Sequence, residues 1–257
     1  MISSNLEFLQ PAVKGTSEIL KSVKAHAPTV KRVVITSSCA AVVDFAAEPA
    51  SSPQKIYTEE DWNPVTWEDA LTGASNTGYQ ASKKFAEKAA WEFVEQENPN
   101  FDLVTLTPPM IYGPLRHSIS NVNQLNESNG RIYNLFINSS KDAALPPNGM
   151  PVYTDVRDIA LAHIKAATVP EAAGLRFVIC EGQISSQEIS DLLRKHIPEL
   201  EQRTPIGVPG GNKLDINQYN CSSKLAEKVL GLKFRSKEET FVDLAKQLLE
   251  IEKKEKL

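Results

Sequence analysis

Three short apolar runs constrain this chain most: "RVVITSS" at 32–38, "FDLVTLTPP" at 101–109 and "LRFVIC" at 175–180. The first is a β-branched run without the apolar–polar alternation of a strand with one wet face, the second reads as a strand ended by two prolines, and the third as another buried strand. Such runs are typical of parallel strands covered on both sides. Between them lie long stretches with helical periodicity. Residues 6–26 repeat apolar positions at Leu9, Val13, Ile19, Leu20 and Val23, and Pro28 stops the helix. Residues 77–96 place Phe85, Ala89 and Phe93 on one stripe, with Asn76 or Thr77 as the expected cap. "VYTDVRDIALAHIKAATV" at 152–169 runs from extended chain into a helix. Alternating helices and buried strands predict an α/β fold around a parallel sheet.

Further helices are expected near 131–139, from Ser185 or Ser186 onward, and from Ser236. There Glu239 stands three residues on, as in a capping box. Residues 44–77 read as a long irregular stretch pinned around Trp62 and Trp67. The terminal "EKKEKL" reads as a fraying charged end. Trp62, Trp67 and Trp91 are expected to pack rather than to bind.

A net charge of −4 offers no basic footprint for nucleic acid. No apolar run approaches the ~18 residues of a spanning helix, and residues 1–10 lack the features of a secretory signal. Cys39, Cys180 and Cys221 stand far apart, with no metal-ligand spacing and an odd count. A reducing, cytoplasmic setting is expected. The four histidines show no ligand pairing and are expected at surface or helix-end positions.

In such sheets, ligands sit beyond the carboxyl ends of the strands. "TSSCAAV", "PPMIYGP" and "CEGQISS" fall at such ends. The helix that follows the first strand opens with Tyr79 and Lys83, four apart and therefore on one face. An ammonium beside a phenol favours the phenolate, so the pair can move a proton to or from a substrate oxygen. Ser38 is the natural hydroxyl to hold that oxygen. A surface tyrosine beside a solvated lysine has the same spacing. It is the ordered set of segments around the pair that favours chemistry.

Those segments are "VKRVVITSSCAAV", "GYQASKKFAEKAAWEFVE", "TPPMIYGP", "VYTDVRDIALAHI" and "GLKFRSKEET". In this order they resemble the extended short-chain dehydrogenase/reductases of the NAD(P)-dependent epimerase/dehydratase superfamily, in particular fungal aldehyde and ketone reductases of the methylglyoxal reductase type. The resemblance implies a Rossmann-like parallel sheet with a smaller C-terminal substrate lobe. It divides the chain into 1–108 plus 152–182 for the dinucleotide-binding part and 109–151 plus 183–257 for the lobe.

It implies NADP(H) as cofactor and a small-molecule carbonyl as substrate. Ser38 would bind the carbonyl, Tyr79 would donate the proton, and Lys83 would assist Tyr79 and hold the nicotinamide ribose. The backbone at Ile111 would meet the carboxamide, Ser128 would touch the cofactor, and Asp155 to Asp158 would be structural.

The family's glycine-rich pyrophosphate turn has no match in this sequence. The chain is therefore expected to begin inside the family's domain, lacking the first strand–helix units, roughly 80 residues at about 30 per unit. The strand at 32–38 is then expected to be an exposed edge through which copies could associate. Cys39 and Met110 stand where relatives often carry aromatic residues, so substrate preference does not carry over. An inactive or interacting remnant, and a nucleotide-sugar epimerase or dehydratase, are the alternative readings.

Overall fold

The computed structural model of the chain describes residues 6–47, 55–211, 214 and 218–255. The elements are, in order, α1 (Leu6–His26), β1 (Arg32–Thr36), β2 (Ile56–Tyr57), α2 (Trp67–Thr72), α3 (Ser75–Glu97), β3 (Asp102–Thr107), β4 (Met110–Tyr112), α4 (Glu127–Ile132), β5 (Val152–Asp155), α5 (Val156–Thr168), β6 (Arg176–Val178), β7 (Gly182–Gln183), α6 (Ser186–His196), β8 (Asn220–Cys221), α7 (Lys224–Leu230) and α8 (Lys237–Glu255).

The main sheet has the order β1-β3-β6 among the described residues, and all its pairs are parallel. β3 is the buried centre. Leu103 faces Leu20, Ala90 and Phe93 of α1 and α3. Val104 and Leu106, on the other face, meet Ile159, Ala162 and Leu230 of α5 and α7. The result is a three-layer α/β arrangement, as the buried runs predict. β1 lies at the sheet edge among the described residues and is only half-buried, the exposed edge expected of the strand at 32–38.

The strand expected within 101–109 forms and ends at its two prolines. β3 ends at Thr107, Pro108 and Pro109 interrupt the ladder, and β4 resumes in a separate sheet, β4-β5-β7. β4 and β5 pair in parallel, from Met110 with Tyr153 to Tyr112 with Asp155. That small sheet joins segments placed on opposite sides of the expected domain boundary. It carries the core of the lobe, where Tyr112, Ile132, Phe136, Tyr153, Leu193, Phe241 and Leu248 pack together. The helix expected at 131–139 starts earlier, at Glu127, and closes with a π turn over Tyr133–Ile137. The strand expected at 175–180 shortens to Arg176–Val178.

Three local expectations are corrected. α3 begins at Ser75 after Ala74, with no side-chain cap, so neither Asn76 nor Thr77 caps it. The irregular stretch is partly ordered by β2 and by α2, which Thr66 and Asp69 close with a capping box; its residues 48–54 lie outside the described residues. The charged C-terminal run does not fray over 252–255. Glu252 is buried and pairs with Arg203 at 2.8 Å, and Lys253 pairs with Glu199 at 3.0 Å. Residues 256 and 257 of that run lie outside the described residues. Ser236 and Glu239 do form the predicted box at the start of α8.

The "DVRD" segment locks the lobe to the sheet. Asp155 caps α5 and pairs with Arg157 at 2.8 Å, and Arg157 reaches Asp243 of α8 at 2.8 Å. Asp158 pairs with Arg235 just before α8. The three tryptophans pack as expected: Trp62 under Arg176, Trp67 edge-on to Phe85, and Trp91 beside Glu87.

Candidate functional site

Beyond Thr36 the chain stays beside β3. Ser37 N donates to Leu106 O and Cys39 N to Pro108 O. Ser38 then caps a short 3-10 turn, Cys39–Ala41, in extended geometry. Its hydroxyl oxygen accepts from Ala40 N at 3.1 Å, and its own proton goes to no acceptor among the described residues. Tyr79 lies in the first turns of α3 and is 48% exposed. Lys83 follows one turn later, its Nζ 5.8 Å from the centre of the Tyr79 ring. No carboxylate pairs with Lys83 among the described residues. Its neighbour Lys84 is buried instead and donates to Val65 O at 2.6 Å. Burial, followed by the charge of Lys88, holds the Lys84 ammonium below the usual lysine range.

A cleft of about 180 Å³ opens between α1, the exposed edge of β1 and α3. Thr16, Thr36, Ser37, Ser82 and Lys83 line it, with Glu87 at its base. The structure therefore brings Tyr79 and Lys83 together. It places Lys83 in this cleft at the carboxyl end of β1. Ser38 comes to α3 through its neighbour: Ser37 Oγ donates to Glu87 Oε2 at 2.6 Å.

Ile111 and Ser128 also meet. Ser128 is buried, accepts from Asn126 Nδ2 at 2.7 Å and donates its hydroxyl to the carbonyl of Ile111. Asn129 Nδ2 holds the carbonyl of Gly113 at 2.9 Å. The first turn of α4 thus clamps the "PPMIYGP" turn, and Ile111 lines a second cleft of about 220 Å³ with Gly113, Arg116, Asn126 and Val156. Tyr112 packs in the lobe core and also lines this cleft. Burial pushes its phenol up.

The residues present fit the reactive end of a nicotinamide cofactor. An ammonium without a carboxylate partner borders a cleft with hydroxyl groups, which suits ribose oxygens. The sequence contains no glycine-rich turn for the pyrophosphate.

The three cysteines, remote in sequence, share one apolar cluster with Val42, Tyr57 and Val178. All are free and buried, and burial pushes the Cys39 thiol far up. No group of three His, Cys, Asp or Glu residues able to hold a metal occurs among the described residues. No helix among them is long and apolar enough to cross a membrane.

Sequence reasoning missed Glu87 and Arg176, which ion-pair at 2.8 Å beneath the site. The signal was present. An arginine inside the apolar run "LRFVIC" requires a buried acid, and Glu87 follows Lys83 by one helical turn.

Comparison with known proteins agrees with this architecture. A profile of the NAD dependent epimerase/dehydratase family matches residues 1–180. The chain is 41% identical over 244 residues to a putative NADPH-dependent methylglyoxal reductase, GRP2, of Candida albicans, covering 95% of this chain and 70% of the relative. It is 40% identical over 245 residues to the ketoreductase azaE of Aspergillus niger, with the same shares covered. The crystal structure of the yeast methylglyoxal/isovaleraldehyde reductase Gre2 with NADPH superposes with a TM-score of 0.86 at 36% identity, covering 98% of this chain and 74% of that one. The chain belongs to the NAD dependent epimerase/dehydratase family and is similar to its fungal NADPH-dependent methylglyoxal and ketone reductases.

Proposed function

We propose that this protein is a cytoplasmic NADP(H)-dependent oxidoreductase that reduces small aldehydes or ketones to alcohols. The observation that carries this reading is the exposed Tyr79 with the unpaired Lys83 ammonium beside it, at the strand end where Ser38 keeps a hydroxyl proton to donate. NADP(H), when bound, supplies the hydride to the carbonyl carbon. Ser38 donates a hydrogen bond to the carbonyl oxygen and fixes its direction. The Tyr79 phenol gives its proton to that oxygen as the carbon–oxygen π bond is lost, so one C–H and one O–H bond form. Lys83 stabilises the phenolate left behind and would hold the ribose hydroxyls. The backbone at Ile111 would meet the nicotinamide carboxamide. Ser128 contributes by holding the Ile111 carbonyl.

The similarity to NADPH-dependent reductases supports the cofactor class. A second reading, a non-catalytic interacting chain, is favoured by one observation: among the described residues β1 is an unpaired edge of the main sheet, where another chain could add a strand.

NADPH titration of the 257-residue chain, followed by nucleotide fluorescence and then by NADPH oxidation with a short aldehyde, tests the proposal. Saturable micromolar binding with turnover that Tyr79→Phe removes is the expected result. A folded chain that binds no NADPH would overturn it in favour of the second reading.

A further inference from the structure

Glu87 lies one turn beyond Lys83 on the same helix face and is 2% exposed. A buried carboxylate requires partners, and this one draws them from β3, β6 and the segment just past β1. Ser37 Oγ, just past β1, donates to it at 2.6 Å. Thr105 Oγ1 of β3 donates at 2.7 Å. Arg176 of β6 donates through Nε at 2.8 Å and Nη2 at 3.2 Å. Arg176 is itself fixed, with its guanidinium 3.8 Å over the Trp62 ring and Nη1 donating to the carbonyl of Glu59 at 3.0 Å.

Arg176 neutralises the charge and Thr105 shares the same carboxylate oxygen, so the Ser37 contact is not needed for charge balance. It has a geometric consequence. Successive side chains of an extended chain point to opposite sides, and Ser38 is extended. Drawing Ser37 inward to Glu87 turns Ser38 away from the core. The same carboxylate sits on the helix that presents Tyr79 and Lys83.

We infer that Glu87 is the positioning residue of this set: through Ser37 it registers α3 against the end of β1. Ser38 and Tyr79 are then presented from two elements in one fixed relation. Its carboxylate oxygens are already engaged by Ser37, Thr105 and Arg176, so it acts through them. The inference rests on the reading of Ser38, Tyr79 and Lys83 as the reacting set.

The test uses the full chain labelled with 13Cζ-tyrosine, which gives one resonance for each of six tyrosines; Tyr79→Phe assigns the one that matters. Ser37→Ala removes the registering contact and leaves the Glu87–Arg176 pair in place. The Tyr79 resonance should move, while that of Tyr153 in the lobe core stays. NADPH oxidation should lose between about tenfold and a hundredfold in kcat, with KM nearly unchanged. Ser37→Thr, which keeps the hydroxyl, should restore both. Glu87→Gln should shift Tyr79 at least as far, and adding Ser37→Ala to it should change nothing more.

A folded Ser37→Ala protein with an unmoved Tyr79 resonance would overturn the inference, as would additive effects of the two changes. If Glu87→Gln does not fold, Ser37→Ala and its threonine rescue decide. If the parent chain oxidises no NADPH, the reductase reading fails, and the resonance shift alone decides whether Glu87 registers the helix.

Discussion

Lys83 and Lys84 are adjacent in sequence and face different worlds. The Lys83 ammonium stands 5.8 Å from the Tyr79 ring centre at an open cleft, whereas that of Lys84 is buried and bonded to Val65 O at 2.6 Å. Methionine substitution should therefore separate them. Lys83→Met should weaken NADPH binding and remove most turnover. Lys84→Met should leave turnover largely intact and lower stability by about 1–2 kcal/mol, the cost of an orphaned buried carbonyl. Fluorescence titration and thermal melts of the two variants measure both effects.

Tyr79→Phe removes one hydroxyl from an exposed side chain. It should leave the fold and NADPH affinity nearly unchanged while lowering kcat by about 10²–10⁴, the range of a proton donor in the transition state. Stopped-flow or steady-state NADPH oxidation checks this, and retained turnover would assign the proton to another group.

Arg176→Met leaves the Glu87 carboxylate buried without its cation. Breaking a buried pair from one side costs about 3–5 kcal/mol. A drop of that size in denaturant unfolding is expected. A neutral result would mean that water or a relaxed backbone takes the place of the guanidinium.

Gly113 has φ +127°, and a Cβ there would meet Val156 Cγ1 at 3.0 Å and Asp155 Oδ1 at 3.2 Å. Gly113→Ala should destabilise the protein by about 1–3 kcal/mol. It should also disturb the Ile111 turn, visible as weaker NADPH binding. A melt unchanged from the parent would show that the turn relaxes without cost.

The acid limb of stability should depend on two neighbouring aspartates with opposite signs. Burial pushes Asp155 up, but its hydrogen bonds with Arg157 outweigh that and hold it below the usual range. Its contribution is present above the unfolded value, about 4, and is lost as pH falls through the lower folded one. Burial raises Asp158 despite Arg235, so its contribution is present at low pH and lost as pH rises through the folded value. Asp158→Asn removes the opposing group. The melting temperature should then fall more steeply as the pH drops through and below the usual carboxylate range. A slope equal to the parent's would show that Asp158 titrates alike folded and unfolded.

The sequence by itself determined the layers, the main helices and strands, and the shared helix face of Tyr79 and Lys83. Buried apolar runs admit few structures besides parallel strands, and residues four apart on a helix must share a face. Capping pairs such as Ser236 and Glu239 act over one turn and were legible for the same reason. What crossed the sheet was not legible. The meeting of Ser37 with Glu87 spans fifty positions, the Glu87–Arg176 pair spans 89, and the cysteine cluster gathers residues from 39 to 221. The sheet shared by Met110–Tyr112 and Val152–Asp155 also depends on which backbones end side by side. Periodicity records which face of an element is buried. The tertiary structure alone chose the partner, because burying a charge or an unpaired backbone group is tolerable only where another part of the chain supplies its complement.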